Sequence, residues 1–294
     1  MKIKIKLLSC LFFFIAFLYL LIPPLTSRLN IENQISEDVI VSLSTVNGQL
    51  ELELENYLIG VLASEMPASF ELEALKAQAV ASRSYVYSRE LIVDDTTSSQ
   101  VYQGYDVLKE KWQEAYDVNL AKIQEAVMST KGQVLVYDQQ IIHAYFFSSS
   151  NGKTNNSEDY WTTPYPYLVS VDSHYDDIKQ DNKRTEAFTF EELSQLFGET
   201  FISMEIISHY ESGYVKEVRV NEKIYSGREI REMCILSSSS FQIEKNDQGI
   251  VFTTLGSGHG VGMSQYGAQG MALEGHNYIE ILKHYYQGTE IVNK

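Results

Sequence analysis

The apolar positions from residue 54 onward recur at helical spacing. They fall at i, i+4, i+7, i+8 and i+12, namely Leu54, Leu58, Val61, Leu62 and Met66. This period predicts a helix with one apolar stripe. Because the residue before a proline is disfavoured in the helical region, Pro67 predicts that the helix ends near Glu65 or Met66. A second helical pattern starts at about Glu71, so residues 66–70 form the bend of a helical hairpin.

Helical and alternating patterns follow one another irregularly over the rest of the chain. Further helices are predicted at about 107–128, 191–197, 228–233 and 278–286. Strand pairs are predicted within 39–54 around Asn47-Gly48, at 133–137 with 141–147, and at 214–220 with the segment after 224, and a single strand at 250–255. Since no regular βαβ rhythm appears, we predict an α+β fold of mixed helices and antiparallel strands that form a substrate groove.

The N-terminus carries a membrane pattern. Three lysines among the first six residues precede an uncharged run over 7–27, of which 7–22 is almost wholly apolar. This predicts a transmembrane helix with a cytoplasmic N-terminus. A cleaved signal peptide would end in a small-x-small site, but Pro23-Pro24-Leu25 follows instead. A buried globular helix would show a polar face, and none appears. We therefore divide the chain into lysines and anchor at 1–27, a stalk and entrance strand at 28–48, and an extracytoplasmic domain at 49–294.

Charge and cysteine content exclude several classes of function. The formal net charge is −16, which makes nucleic acid an unsuitable partner because phosphate binding needs a basic surface. Cys10 in the anchor and Cys234 far beyond it do not pair within one chain, and Cys234 reads as a small buried residue. The histidines lack metal-ligand spacing, so neither a metal nor another cofactor is predicted, although distant residues can converge in a fold.

Glu65 is the first candidate for chemistry because it ends an apolar helix against a proline bend. The partial negative charge of a helix C-terminus and burial both disfavour a carboxylate, so both raise its pKa. A carboxyl group that stays protonated near neutral pH can act as a general acid. The alternative is an ordinary solvated glutamate at a helix end.

Two turns are further candidates. Phe147-Ser148-Ser149-Ser150-Asn151-Gly152 joins aromatic residues to hydroxyls, which suits sugars, although a serine-rich loop is also an ordinary structure. Gly256-Ser-Gly-His-Gly-Val-Gly262 leaves the backbone nearly bare around His259. Without a βαβ context it is a weak phosphate-binding motif, and no Gly-x-Ser-x-Gly elbow supports a serine hydrolase. We expect this turn to form a groove wall facing Glu65, with a purely structural His259 as the alternative.

At these motifs the chain resembles the stage II sporulation protein D family, lytic transglycosylases of endospore-forming bacteria that are related to amidase-enhancer proteins. The blocks that carry the resemblance span about 50–290, namely 62–70, 73–85, 147–154, 256–268 and 284–289. The resemblance implies that Glu65 is the catalytic residue. It also implies substrate-binding residues within the matching blocks, namely Arg83, Tyr85, Ser148, Ser149, Ser150, Asn151, His259, Gln265 and Tyr266. Some family members bind zinc through Cys and His near the 148–152 block, where this chain has serines.

The activity that the resemblance implies is cleavage of the β-1,4 bond between N-acetylmuramic acid and N-acetylglucosamine in peptidoglycan strands whose stem peptides have been removed. It further implies amidase, endopeptidase and membrane-scaffold partners during engulfment, at the cell membrane. One glutamate suffices for a transglycosylase, whereas hydrolysis needs a second carboxylate or a base that holds water. Folding that brings Asp159 or Asp172 close would permit hydrolysis. The competing interpretation is a glycan-binding activator of a partner amidase.

Overall fold

The computed structural model describes residues 39–46, 48–96 and 99–294. The predicted anchor and stalk lie outside these residues. Among the helices that are described, none has the length and apolar character needed to span a bilayer.

The described chain alternates helices and strands without regular order, which confirms the α+β prediction. The helices are α1 Leu54–Glu65, α2 Leu72–Ser88, α3 Tyr105–Trp112, α4 Tyr116–Ser129, α5 Ser157–Trp161, α6 Phe190–Phe197, α7 Gly227–Met233, α8 Gln265–Leu273 and α9 Tyr278–Tyr285. The strands are β1 Ile40–Thr45, β2 Gly48–Glu53, β3 Ile92–Asp94, β4 Gln133–Tyr137, β5 Gln140–Ile141, β6 Phe146–Phe147, β7 Lys183–Thr189, β8 Met204–His209, β9 Val215–Val220, β10 Lys223–Ser226, β11 Phe241–Lys245, β12 Gly249–Leu255, β13 Met263–Ser264 and β14 Glu290–Asn293.

The strands form several small sheets with mostly antiparallel pairing. Their orders are β2-β1-β3, β14-β4-β5, β11-β12-β7, β10-β9-β8 and the pair β13-β6. β1 and β2 pair antiparallel with Thr45 opposite Gly48, so the predicted strand pair at the entrance is confirmed. β6 and β13 pair in parallel, with Phe147 opposite Ser264. This short pair joins the serine turn to the glycine-rich segment.

Helices α1 and α2 form the predicted hairpin at the centre of the fold. α1 ends at Glu65 and Met66 already has extended backbone, as Pro67 requires. Both helices are buried over most of their length, and α2 also contacts α4, α8, α9 and β4. The alanines of α2, such as Ala77 and Ala81, are fully buried, and small side chains let neighbouring elements approach closely. Glu65 is thereby held at the end of a helix that is packed on several sides.

A second hydrophobic cluster belongs to the segment between β7 and β12. It includes Leu193 of α6, Val218 of β9, Ile230 of α7 and Phe252 of β12, all fully buried. Cys234 lies in this cluster as an unpaired buried thiol, in agreement with its interpretation as a small core residue.

Two predicted elements differ from the structure, and one helix had no counterpart in the prediction. The helix predicted at 107–128 is two helices, because Gln113 has a φ of +48° and a 3₁₀ turn follows it. The strand predicted at 141–147 is broken: β5 ends at Ile141, and β6 pairs with β13 rather than with β4. Helix α8, which follows the glycine-rich segment and the short strand β13, was not predicted.

Candidate active site

Glu65 lies half-buried at the end of α1. Its Oε1 accepts a hydrogen bond from the backbone N–H of Val101 at 2.7 Å. Burial raises the pKa of Glu65, and the Val101 hydrogen bond opposes this shift. The hydrogen bond therefore holds the carboxyl in place while burial raises its pKa, the direction that suits a general acid.

Glu65 lines a groove with a volume of about 540 Å³. The bend after α1 supplies one wall, α3 and α4 supply Lys111, Trp112 and Asn119, and the opposite wall carries Ser148, Gln265 and Tyr266. Among the described residues that line the groove, Glu65 is the single carboxylate. Trp112 is half-buried, so part of its ring faces the groove. The groove thus combines one acid, one cation and aromatic surface.

Two parts of the chain that are distant in sequence make the wall opposite the bend. The Ser148 carbonyl accepts a hydrogen bond from the Tyr266 N–H at 3.0 Å, and the Tyr266 ring packs edge-on against Phe70 with 5.1 Å between centroids. Gln265 Nε2 donates to Gln78 of α2 at 3.4 Å. The first residues of α8 are therefore fixed to the serine turn and to the helical hairpin.

Lys179 lies behind this wall. Its Nζ donates to Ser148 Oγ at 3.2 Å and to Ser149 Oγ at 2.8 Å, and it lies 4.7 Å from the centre of the Tyr266 ring. Burial lowers the pKa of Lys179. The Lys179 amino group therefore lies next to three residues of the predicted site without itself lining the groove.

The other residues of the serine turn point into the protein. Ser149 Oγ donates to Asn182 Oδ1 at 2.6 Å, and Asn151 Nδ2 donates to the Ser212 carbonyl at 3.1 Å. Ser150 Oγ donates to Asp176 Oδ2 at 2.6 Å. Of the four predicted residues in this turn, the structure brings Ser148 to the groove and uses the others to hold the turn.

Asp176 is a buried carboxylate that connects both parts of this wall. Besides Ser150, it accepts hydrogen bonds from Ser173 Oγ at 2.7 Å and from Ser264 Oγ at 2.6 Å. Burial raises the pKa of Asp176, and the three serine hydroxyls oppose that shift. Ser264 also caps α8. A single side chain therefore fixes the serine turn and the start of α8 relative to each other.

Comparison with known proteins places these residues in a family. Residues 43–137 match the family model described as stage II sporulation protein. The chain is 44% identical over 263 residues to stage II sporulation protein D of Bacillus subtilis (strain 168), which covers 84% of this chain and 77% of that protein. The chain belongs to the stage II sporulation protein D family. The protein of the same name from Bacillus amyloliquefaciens is 42% identical over 263 residues, covering 84% and 76%. The amidase enhancer of Bacillus subtilis is 29% identical over 298 residues, covering 80% of this chain and 40% of that protein.

Arg83 lies in the core of this family member rather than in the groove. Its side chain is fully buried, and its Nε and Nη2 donate to the two carboxylate oxygens of Glu55 at 3.1 and 2.6 Å. It also donates to the carbonyls of Val127 and Gln133, both at 3.2 Å. Tyr85 is likewise buried, with its ring 5.7 Å from that of Tyr145. Neither residue is among those that line the groove.

His259 packs among aromatic side chains instead of lining the Glu65 groove. Its ring lies 4.9 Å from that of Trp161 and 5.7 Å from that of Phe147. Nδ1 accepts a hydrogen bond from the Val261 N–H at 3.1 Å. Removal of the ring from water lowers the pKa of His259 to about 3, with the nearby charge of Arg231 acting in the same direction. The imidazole is therefore neutral at physiological pH.

The glycines around His259 accommodate the protein's own chain. Gly260 and Gly262 have φ angles of +82° and +79°. A Cβ on Gly262 would meet the Tyr145 carbonyl oxygen at 2.0 Å, and one on Gly260 would meet the Tyr214 ring at 2.6 Å. The bare backbone at these glycines is therefore occupied by groups of the protein itself, the Tyr145 carbonyl and the ring of the buried Tyr214.

Sequence reasoning missed Lys111, Trp112, Asn119 and Lys179. The first three belong to a polar helical segment in which only Trp112, one of two tryptophans in the chain, stands out. Asp159 and Asp172, considered as a second carboxylate, are not among the groove-lining residues. Within the described part of the chain, no group of three or more His, Cys, Asp or Glu side chains is placed to hold a metal ion.

Proposed function

We propose that this protein is a peptidoglycan lytic transglycosylase that acts during sporulation. Its substrate would be a glycan strand freed of stem peptides, and the bond cleaved is the β-1,4 bond between N-acetylmuramic acid and N-acetylglucosamine. The observation that carries the proposal is a carboxyl with a raised pKa that faces an open groove, the single carboxyl among the described residues that line it.

One carboxyl can complete this reaction. Protonated Glu65 gives its proton to the glycosidic oxygen as the bond from that oxygen to C1 of the muramic acid breaks. The resulting carboxylate then takes the proton of the C6 hydroxyl, whose oxygen attacks C1. The products are a free C4 hydroxyl on N-acetylglucosamine and a 1,6-anhydro-muramic acid end. No water is consumed, and Glu65 returns to its protonated state.

The groove favours this route over hydrolysis. A retaining hydrolase places a second carboxylate about 5–5.5 Å from the acid, and an inverting one holds water with a base. The described residues that line the groove offer neither, since the other polar side chains are hydroxyls, amides and Lys111. Trp112 and Tyr266 offer ring faces on which pyranose rings can stack.

The test is a digest of stem-peptide-free glycan by the full-length protein, with products separated by mass. We expect 1,6-anhydro ends, and Glu65→Gln should lower turnover by at least about 10²-fold, the lower bound for loss of a general acid. Glu125→Gln is the matched control, because Glu125 is exposed on α4. Ordinary reducing ends would indicate a hydrolase. Wild-type turnover by Glu65→Gln would remove Glu65 from the mechanism.

A second function, stimulation of a partner amidase, is favoured by the similarity to the amidase enhancer of Bacillus subtilis. Stimulation needs glycan binding but no acid, so Glu65→Gln would stimulate a purified amidase as well as the wild type does. We further propose a single-pass membrane location, with the domain outside the cytoplasm and amidase, endopeptidase and scaffold partners. Protease protection of the domain in intact spheroplasts would contradict this location.

A further inference from the structure

A continuous row of aromatic rings lies outside the Glu65 groove. Successive centroids from Tyr137 to Trp161 are 5.6, 5.6, 6.4 and 4.5 Å apart. His143 packs on the side of this row, 5.4 Å from Tyr165. We call the row the aromatic platform, and its members are Tyr137, His143, Tyr145, Trp161, Tyr165 and Tyr167. None of them is a groove-lining residue.

The platform faces water. All of its members except Tyr167 are partly exposed. In the described structure the hydroxyls of Tyr137, Tyr145 and Tyr165 and the indole nitrogen of Trp161 form no hydrogen bond, and none of these atoms is among the buried polar atoms without a partner. These polar groups are therefore open to solvent and available to a ligand.

Tyrosines of the core behave differently in the same structure. The hydroxyl of Tyr57 donates to Gln100 at 3.2 Å, and that of Tyr285 pairs with Ser173 at 2.8 Å. Both side chains are fully buried. Buried polar groups need such partners because an unpaired one is costly. The unpaired hydroxyls of the platform thus separate it from the aromatic core.

The platform lies at the opposite end of α2 from the groove. His143 Nδ1 is 2.9 Å from Ser88 Oγ at the C-terminus of this helix, whereas Phe70, just before its N-terminus, lines the groove. The 17 residues of α2 span about 25 Å. Along the other side, Tyr145 precedes the groove residue Ser148 by three positions, about 10 Å of extended chain. The two surfaces are separate yet close enough for one polymer to reach both.

The charges near the platform suit a carbohydrate that carries carboxylates. Although the chain has a net charge of −16, the charge of Arg89 acts on both His143 and Tyr145. The Arg228 guanidinium lies 4.8 Å from the centre of the Tyr160 ring, which packs against Trp161. Ring faces with polar edges bind pyranose rings and acetamido groups, and a neighbouring arginine favours a lactyl carboxylate.

We propose that the aromatic platform is a second glycan-binding surface, which holds saccharide units of the strand beyond those in the Glu65 groove. The choice of a peptidoglycan strand as its ligand rests on the proposed function. Two linked surfaces would favour long strands over short ones, because binding at the second surface becomes intramolecular.

The two tryptophans allow each surface to be observed separately, since Trp112 lines the groove and Trp161 belongs to the platform. In the full-length Glu65→Gln protein, Trp112→Phe leaves Trp161 as the sole tryptophan, and Trp161→Phe leaves Trp112. We expect stem-peptide-free strands to change the emission of Trp161 as well as that of Trp112. An unchanged Trp161 emission at saturating strands would overturn the proposal, whether or not Trp112 responds.

A second set of variants tests affinity. Combined Tyr137→Ala and Tyr165→Ala substitutions should weaken binding of long strands at least about tenfold, a modest part of the avidity that two linked sites provide. Binding of short oligosaccharides reported by Trp112 should stay unchanged. Tyr105→Ala is the control, because Tyr105 is an exposed aromatic outside both surfaces. Equal effects of the control and the platform variants would contradict the proposal. Cleavage is assayed separately with the wild-type protein. If the protein cleaves glycan but the Trp161 emission does not change, the platform proposal alone is rejected. If the Trp161 emission changes but the protein does not cleave glycan, only the proposed transglycosylase activity is rejected.

Discussion

Replacement of Arg83 by methionine should lower the free energy of unfolding of the protein. It should not weaken the proposed binding of glycan by the folded protein. The guanidinium is fully buried and forms four hydrogen bonds, two to Glu55 and one each to the carbonyls of Val127 and Gln133. Methionine fills much of the same volume and supplies no donor. It would leave the Glu55 carboxylate, only 5% exposed, without its counterion.

Loss of one partner from a buried ion pair typically costs about 3–5 kcal/mol. Since whole domains are stable by only about 5–15 kcal/mol, this is a large share of the total. The double variant Glu55→Leu with Arg83→Met removes both charges, so we expect it to recover most of the loss, because apolar pairs of similar volume often replace buried ion pairs at little cost.

The assay is urea unfolding followed by circular dichroism, for the wild type, both single variants and the double variant. Glycan binding by each folded protein is measured in parallel. If Arg83→Met were destabilised by less than about 1 kcal/mol, within the range of an exposed pair, and yet lost glycan binding, the core role of Arg83 would be refuted. Arg83 would then be a binding residue, as the family resemblance implied.

Three further predictions concern ionisable side chains. Because the folded-state pKa of Glu65 is raised, its ionisation destabilises the fold, so Glu65→Gln should gain thermal stability relative to the wild type as pH rises above the usual glutamate range, and the difference should vanish below it. The depressed pKa of His259, about 3, means that wild-type stability falls as pH drops below about 6.5. His259→Phe should lessen that fall, and His259→Ala should lower the melting temperature by at least about 4 °C, as about 1–2 kcal/mol would. Asp176→Asn removes an acceptor for buried serine hydroxyls and should raise KM for glycan together with a loss of about 1–3 kcal/mol in urea unfolding. If His259→Phe lost as much stability at low pH as the wild type, the role of His259 in acid sensitivity would be contradicted. If Asp176→Asn kept the wild-type KM, its role in positioning the groove wall would be contradicted.

The helical hairpin was predictable because its determinants are local. The apolar stripe of α1 has a clear period, and Pro67 limits the helix at Glu65. The break at Gln113 had no comparable indication, since neither glycine nor proline marks the position at which the backbone reaches a φ of +48°. The strand predicted at 141–147 failed for a related reason. Its last residues find their partner in Met263 and Ser264, more than a hundred positions away.

Residue type and motif indicated candidate site positions, but not whether each side chain lines the groove or is buried in the core. Glu65, Ser148, Gln265 and Tyr266, four of the predicted site residues, line the same groove. Arg83 belongs to the same motif blocks, and an arginine in sequence looks the same whether it binds a substrate carboxylate or a buried Glu55. Only the distance to its partner decides, and that depends on how α1 and α2 pack.

The glycine-rich segment positions the groove wall although none of its residues lines the groove. Its glycines let the chain pass within contact distance of the Tyr145 carbonyl and of Ser149, so that Ser257 and Ser149 exchange backbone hydrogen bonds of 2.8 and 3.0 Å. This contact brings α8, with Gln265 and Tyr266, beside Ser148. A side chain at Gly262 would push on the segment that carries Tyr145 and leads through β6 to Ser148. The groove wall and the aromatic platform therefore depend on the same few glycines, and the requirements for close backbone packing and for the proposed glycan binding fall on one segment of the sequence.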